Sequence, residues 1–405
     1  MRMKRLLARL RSYLGLDRNV LVMTAGKALR SLGSGLWTEY LPKVLETLGA
    51  SAPMIGTFGT INSGASTLYS YLGGAISDRL GRGRVMILSA AIAMIGYLIY
   101  AVSPLWWLFI PGSILLTASA YFDFMGSLAL VGETVRGDRR AVSMASLGII
   151  TLPVVLLAPP LGGLLIAKLG MVRGFRVGVA ATIVLTLLGI WVQRRFYRLP
   201  PPAAKRFAAD MRAAWRTMPH SLRSMLLANC IMAFGSGMSR LFLVLYVMNI
   251  LGASAVQFGL LQSVLVGSTS LLSVPVGKLT DRKTGLGRKP YVAMAFLLIA
   301  VYPVLLVLAP SPVWLWPIFV LRGVRETFDT VRKAMIIDLA GEGERGRVIG
   351  FYFFVVGLAA FPASFIAGWL WQWSPAAPFL AGAGLAAVGF VLFLFVRTRE
   401  PDRQG

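Results

Sequence analysis

Residues 73–84 read GGAISDRLGRGR, and residues 277–290 read GKLTDRKTGLGRKP. Each is a short charged passage set between long apolar runs. In the first, Asp78, Arg79, Arg82 and Arg84 crowd into seven positions. Such a turn is what a chain needs where it leaves a bilayer and re-enters it from the same side. Its meaning therefore depends on what flanks it.

The flanks are membrane helices. The chain has 405 residues, of which 57% are hydrophobic and 14% charged, whereas a soluble domain carries about 25% charged residues. Its mean hydropathy is +0.71. VMILSAAIAMIGYLIYAV (85–102) and APFLAGAGLAAVGFVLFLFV (377–396) are each long enough to cross a ~30 Å hydrocarbon core as a helix. The class is all-α integral membrane.

The formal net charge is +25. In a soluble protein this would point to nucleic acid, but here the positions of the charge exclude that reading. Of 41 Lys and Arg, 32 fall in 1–18, 79–84, 132–140, 193–223, 278–289, 332–347 and 397–403. These are alternate connections and the two tails. The other connections hold Lys43, Lys168 and Arg173. The basic side faces the cytoplasm, so both termini are expected inside a bacterial-type plasma (inner) membrane. Anionic lipid is the expected partner of that face.

One cysteine, Cys230, and one histidine, His220, argue against a disulfide framework and against a thiolate or imidazole metal site. No cofactor is implied. The first residues, MRMKRLLARLRSYLG, lack the apolar stretch of a signal peptide. Leu6, Leu7, Leu10, Tyr13 and Leu14 share one helical face, as in a short helix lying on the inner leaflet.

Twelve spans follow, at 19–41, 54–77, 84–103, 106–131, 141–166, 176–194, 222–249, 255–276, 290–309, 313–338, 347–370 and 377–397. The connection 195–221 is long, basic and Pro-rich, with an apolar stripe of Phe207, Met211, Trp215 and Met218. It reads as a cytoplasmic linker with an interfacial helix. The expected organisation is a cytoplasmic segment 1–18, a six-helix bundle 19–194, the linker 195–221, a second bundle 222–397 and a tail 398–405.

The bundles repeat. Shifted by 203 positions, residues 48–79 meet identical residues at Leu48, Gly49, Ala50, Ser51, Ala52, Gly56, Gly64, Leu68, Gly74, Asp78 and Arg79. After a three-residue insertion in the second charged turn, Phe122 and Asp123 meet Phe328 and Asp329, Arg139 meets Arg345, and Gly162 meets Gly368. Internal repeats of this kind mark secondary transporters, whose substrate site is expected between the repeats near the bilayer midplane.

The charged turn itself names a family. Gly74, Asp78, Arg79, Gly81, Arg82 and Arg84 resemble the loop 2–3 signature of the major facilitator superfamily, G-x-x-x-D-R-x-G-R-R/K, with Gly83 in place of a basic residue. The second copy is Gly277, Asp281, Arg282, Gly287 and Arg288, with the insertion. The resemblance spans the whole chain and implies twelve transmembrane helices in two pseudo-symmetric six-helix bundles. It also implies that Asp78 reaches the start of span 11 and Asp281 the start of span 5, clasping the halves on the cytoplasmic side. Such an acid would sit at the positive N-terminus of a helix, and small glycines would let the helices approach. LAPPLGG (157–163) matches the P-x-x-G-G end of the span 5 motif of proton-coupled exporters. Its upstream glycines are absent, with Val154 and Ala158 in their places.

Ionisable residues at membrane depth cost roughly 2.5–3.5 kcal/mol each on an insertion scale, so they require a reason. Span 10 carries Arg322, Arg325, Glu326 and Asp329 on one face, with Arg322–Glu326 and Arg325–Asp329 at pairing distance in sequence. Span 1 offers Lys27, Arg30, Ser31, Ser34 and Thr38. Span 4 offers Ser119 and Asp123, and span 7 offers Asn229, Ser236 and Arg240. The resemblance places spans 1, 4, 7 and 10 around a central cavity. Substrate contacts are expected from Lys27, Arg30, Ser34, Arg240, Arg322, Arg325, Glu326 and Asp329. Asp123 has no basic residue within a turn on its own span. Its charge must be met from another helix, Arg30 or Arg325, or be protonated for part of a cycle, and it is the expected proton carrier. Asp329 is expected to orient Arg325.

The expected function is secondary active transport of a small organic solute by alternating access, with protons as coupling ion and export as direction. The surplus of cations favours an anionic or zwitterionic solute. The alternative is an organic-anion exchanger or importer built on the arginines. A membrane-bound enzyme is disfavoured, because no His/Cys cluster or nucleophile–base pair stands out. A monomer is expected.

Overall fold

The computed structural model describes residues 18–80, 82–134, 140–196, 211–281, 288–340 and 345–396, and among them there is no strand. The twelve spans are helices. Span 1 is Arg18–Gly35, continued after a break by a 3-10 turn, Thr38–Tyr40, and a short helix, Leu41–Thr47. Spans 2 to 6 are Ala52–Leu80, Arg82–Val102, Phe109–Thr134, Arg140–Leu169 and Met171–Phe196. Span 7 is His220–Arg240, bent by 40° into Leu243–Ile250. Spans 8 to 10 are Ala255–Asp281, Lys289–Val307 and Leu315–Leu339. Span 11 is Arg345–Ala360 continued by Ala363–Trp373, and span 12 is Ala377–Leu394.

Among the described residues, seven helices are long and apolar enough on composition alone to cross a membrane, and an eighth if the two parts of span 7 count as one. Spans 1, 2, 3 and 10 fall outside that set, and of these spans 1 and 10 carry the ionisable side chains at membrane depth. Span 10 holds Arg322, Arg325, Glu326, Asp329, Arg332 and Lys333 within one helix.

The sequence repeat is a structural repeat. Leu48-Gly49-Ala50-Ser51-Ala52 ends span 1, and Leu251-Gly252-Ala253-Ser254-Ala255 ends span 7. Both glycines adopt left-handed backbone, with φ of 91° and 69°. That conformation stops a helix and is strained for any residue with a Cβ. Each following serine carbonyl accepts the first hydrogen bond of the next span, from Ile55 at 3.0 Å and from Phe258 at 2.9 Å. At Ser254 the cap is reciprocal. Gln257 N donates to Ser254 Oγ, and Ser254 N donates to Gln257 Oε1 at 2.8 Å, which satisfies two N–H groups at the helix start. Spans 1 and 7 also break at equivalent places, near Trp37 and Arg240.

The chain forms two compact units. The first comprises Met1–Leu48 and Tyr69–Phe207, the second Gly49–Leu68 and Ala208–Gly405. The beginning of span 2 thus groups with the spans of the second half, where sequence reading expects a division at the linker. Close packing explains it: a Cβ on Gly368 of span 11 would lie 2.6 Å from the carbonyl oxygen of Ala52. Its repeat partner Gly162 does the same inside the first unit, where a Cβ would lie 2.0 Å from the Leu36 carbonyl oxygen.

The core of the first unit is aromatic. Trp37 is buried, meets Tyr97, Tyr100 and Phe175 edge-on, and donates from Nε1 to Thr182 Oγ1 at 2.9 Å. Tyr40 donates to the carbonyl of Pro159 at 3.1 Å, so the proline-rich end of span 5 is pinned to span 1. In the second unit, Phe296 stacks on Phe393, and Tyr246 packs on Phe379 and Trp371. The linker helix is seen as Met211–Thr217. Ala214 and Met218 are buried, and Trp215 meets Phe351 of span 11 edge-on. Part of the stripe expected to lie on lipid is packed on protein instead.

Candidate functional site

Each unit contains a cluster of ionisable side chains. In the first, span 1 turns Lys27 and Arg30 toward span 4. Arg30 Nη1 lies 3.3 Å from Asp123 Oδ1, and Lys27 Nζ lies 3.8 Å from Oδ2. Asp123 therefore takes its counter-charge from another helix, one of the two solutions its sequence context left open, and of the two arginines considered it is Arg30 that serves it. Lys27 joins as a second partner that sequence reading did not assign to it. All three side chains keep some exposure. Ser127, one turn on, donates to the Asp123 carbonyl at 2.5 Å. Ser34 turns back on its own helix and donates to the Ser31 carbonyl at 3.4 Å.

In the second unit the pairing differs from what spacing suggests. Asp329 is buried and does not pair with Arg325. Its Oδ1 accepts from Arg332 Nε at 2.7 Å, and its Oδ2 lies 3.1 Å from Lys333 Nζ. Arg332 Nη1 also donates to Asn229 Oδ1 of span 7 at 3.1 Å. The Asn229 amide donates to the Tyr352 hydroxyl of span 11, which in turn donates to the Met225 carbonyl at 3.4 Å. Spans 7, 10 and 11 are thus joined by one buried polar chain. Arg332, counted from sequence with the basic cytoplasmic connections, is 8% exposed. Its signal was its place one turn after Asp329, on the same helical face. Tyr352 had no such signal, because nothing in the sequence ties span 11 to Asn229.

With Asp329 occupied, Arg325 is left to its neighbour. Its Nη1 donates to Glu326 Oε1 at 2.7 Å. Its guanidinium also lies 6.0 Å from the ring centre of Tyr302, whose hydroxyl shares a hydrogen bond with Ser239. Glu326 is therefore not the partner of Arg322. The Arg322 guanidinium lies 5.8 Å from the Phe319 ring centre. Its Nε and Nη1 are buried with no acceptor among the described residues, and so is Arg325 Nε. Arg240 is exposed and is the last residue before the bend of span 7.

The first charged turn, with Gly74, Asp78, Arg79, Gly81 and Arg82, and Asp281 and Arg282 of the second, lie outside the residues whose side chains are described. Arg288 is described and pairs with Asp338 at the end of span 10, within its own unit. A Cβ on Gly277 would meet nothing within 4 Å among the described residues. No group of three or more His, Cys, Asp or Glu among the described residues could hold a metal ion.

The family profile of the Major Facilitator Superfamily matches residues 24–223 and 225–405. The chain belongs to this superfamily. Among its relatives, an uncharacterised MFS-type transporter of Methanocaldococcus jannaschii is 24% identical over 403 residues, covering 94% of this chain and 95% of the relative. The multidrug resistance protein MdtL of Klebsiella pneumoniae is 27% identical over 172 residues, 42% of this chain and 44% of that protein. Among solved structures, the human organic anion transporter MFSD10 (TETRAN) is similar with a TM-score of 0.63 and 21% identity, over 93% of this chain and 99% of that one. The nucleoside transporter NupG is similar with a TM-score of 0.73 and 14% identity, over 94% and 99%. As a member of the superfamily, this facilitator is a multi-pass membrane transporter of twelve helices in two six-helix bundles.

Proposed function

We propose that this facilitator is a secondary active transporter that moves a small anionic or zwitterionic organic solute by alternating access, coupled to protons and directed outward. The observation that carries the reading is Arg322, a charged guanidinium with two buried nitrogens, Nε and Nη1, and no protein acceptor for them among the described residues. An uncompensated charge in such a place is costly. A solute carboxylate or phosphate would satisfy it, and Arg325, one turn along the same face, adds a second donor.

Asp123 is the proton carrier of this reading. Its partners Lys27 and Arg30 lie on span 1 while it lies on span 4. A shift between these helices changes the positive charge that faces its carboxylate. Asp329 has Arg332 and Lys333 on its own helix, so its ion pairs travel with it and suit a structural role. Outward direction is supported by the partial match of residues 157–163 to an exporter motif and by the likeness to a protein named for multidrug resistance. The second reading, an organic-anion exchanger or importer, is favoured by the excess of arginine and by the likeness to a human organic anion transporter.

Proteoliposomes with an imposed pH gradient separate the two. Solute flux should rise with the gradient in the wild type. In Asp123→Asn that dependence should vanish while solute counterflow persists. Equal dependence in both proteins would remove Asp123 from the coupling role, and a wild type indifferent to the gradient would select the exchanger.

A further inference from the structure

We propose that Glu326 is an internal stand-in for the solute's carboxylate, displaced from Arg325 when an organic carboxylate binds across Arg322 and Arg325; this rests on the anion-site reading above. The argument begins with an uncommon contact. Residues i and i+1 of a helix do not face each other, yet Arg325 Nη1 and Glu326 Oε1 meet at 2.7 Å. The pair forms because the i+4 partner that Arg325 would otherwise take, Asp329, is held by Arg332 and Lys333. Arg325 is a mostly buried cation whose hydrogen-bonded acid is a neighbour bent back along the helix surface.

The two partners differ in burial. The Arg325 side chain is 15% exposed and that of Glu326 37%. Glu326 can swing toward water at small desolvation cost, whereas Arg325 cannot leave. The guanidiniums lie near the rings of Phe319 and Tyr302. Their buried N–H edges, Nε and Nη1 of Arg322 and Nε of Arg325, have no acceptor among the described residues. A carboxylate accepts from two such donors at once. Replacing Glu326 by a solute carboxylate conserves the charge at Arg325 and adds the pairing that Arg322 lacks. A neutral or cationic solute gives no such compensation and leaves Glu326 in place. Glu326 thus acts as a filter against solutes without an acid.

The test uses the full-length purified protein and thermal stabilisation by benzoate and succinate, with benzamide and succinamide as neutral counterparts at matched ionic strength. The wild type should be stabilised by the acids and not by the amides. Glu326→Gln removes the competitor, so half-maximal stabilisation by the acids should occur at about tenfold lower concentration, as expected for one charge-assisted contact no longer contested. Glu326→Asp, which keeps the charge on a shorter arm, should fall between the two. Arg322→Gln should abolish the response. Each variant must elute as the wild type does on size exclusion and keep a cooperative unliganded transition. If acids stabilise the wild type, Arg322→Gln loses the effect and Glu326→Gln is unchanged or weaker, the displacement is overturned while the anion site stands. If the acids stabilise neither the wild type nor Glu326→Gln, the anion site and the displacement both fall.

Discussion

At the scale of single residues, the two repeat-related acids show how equivalent positions acquire different work. Asp123 and Asp329 align in the repeat, but the residues at +3 and +4 do not: Gly126 and Ser127 stand where Arg332 and Lys333 stand. The second half supplies its acid with cations from the same helix, and the first half borrows them from span 1. Arg332 is therefore a staple. Arg332→Met keeps the bulk but strips Asp329 of its Nε donor and leaves Asn229 Oδ1 without that bond. Breaking one side of a buried pair costs about 3 kcal/mol, so the unliganded melting temperature of the purified protein should fall by several degrees. Lys333, whose side chain is 56% exposed, should cost less than about 1 kcal/mol when changed to Met. Similar losses in the two variants would show that the buried chain through Asn229 and Tyr352 contributes little.

At the scale of elements, the spans were legible because hydropathy and the repeat agree. Expected and observed boundaries differ by a few residues at most ends, since an apolar run long enough to cross the bilayer has one way to satisfy its backbone. The breaks in spans 1 and 11 were not legible. Leu36–Trp37 and Phe361–Pro362 interrupt runs whose hydropathy continues across them, and hydropathy does not register a change of backbone path. Side-chain pairing was legible only in part. Asp123 had no local cation, which left a partner on another helix, Arg30 or Arg325, or protonation, and the structure supplies Arg30 and Lys27. Spacing assigned Arg325 to Asp329, and that pairing fails because Arg332 and Lys333, one turn further on, hold the acid. Helix crossings were legible through the repeated glycines, and Gly162 gives the sharpest test. A Cβ there would sit 2.0 Å from the Leu36 carbonyl oxygen, a backbone atom that cannot turn aside, whereas Gly148 on the same span has nothing within 4 Å among the described residues. Gly162→Ala should destabilise by about 1–3 kcal/mol as an overpacked contact. Gly148→Ala should be neutral or slightly stabilising, because alanine is the better helix former. Equal melting temperatures for the two variants would mean that spans 1 and 5 separate readily at this crossing.

At the scale of the whole molecule, charge placement carries the orientation. The described basic residues near the proposed cytoplasmic face also close helix ends. Lys289 donates to the Leu394 carbonyl at the end of span 12, and Arg223 donates to the carbonyls of Trp215 and Arg216 at the end of the linker helix. Positive groups at helix C-termini are stabilising in their own right, so some of the lysine and arginine has a local reason. Arg176, at the other end of its unit, does the same for the Ser103 carbonyl, which shows that capping alone does not select a side. The asymmetry that does select a side is the count across alternate connections. It predicts that residues 1–18, 195–221 and 398–405 share the cytoplasmic face, while the loop after span 1 faces out. In a Cys230→Ser background, a cysteine replacing Asp210 should resist a membrane-impermeant maleimide in intact cells and react in inside-out vesicles. A cysteine replacing Lys43 should behave in the opposite way. Labelling of position 210 from outside intact cells, with position 43 protected, would invert the molecule. It would also reverse the direction in which any proton gradient acts on Asp123.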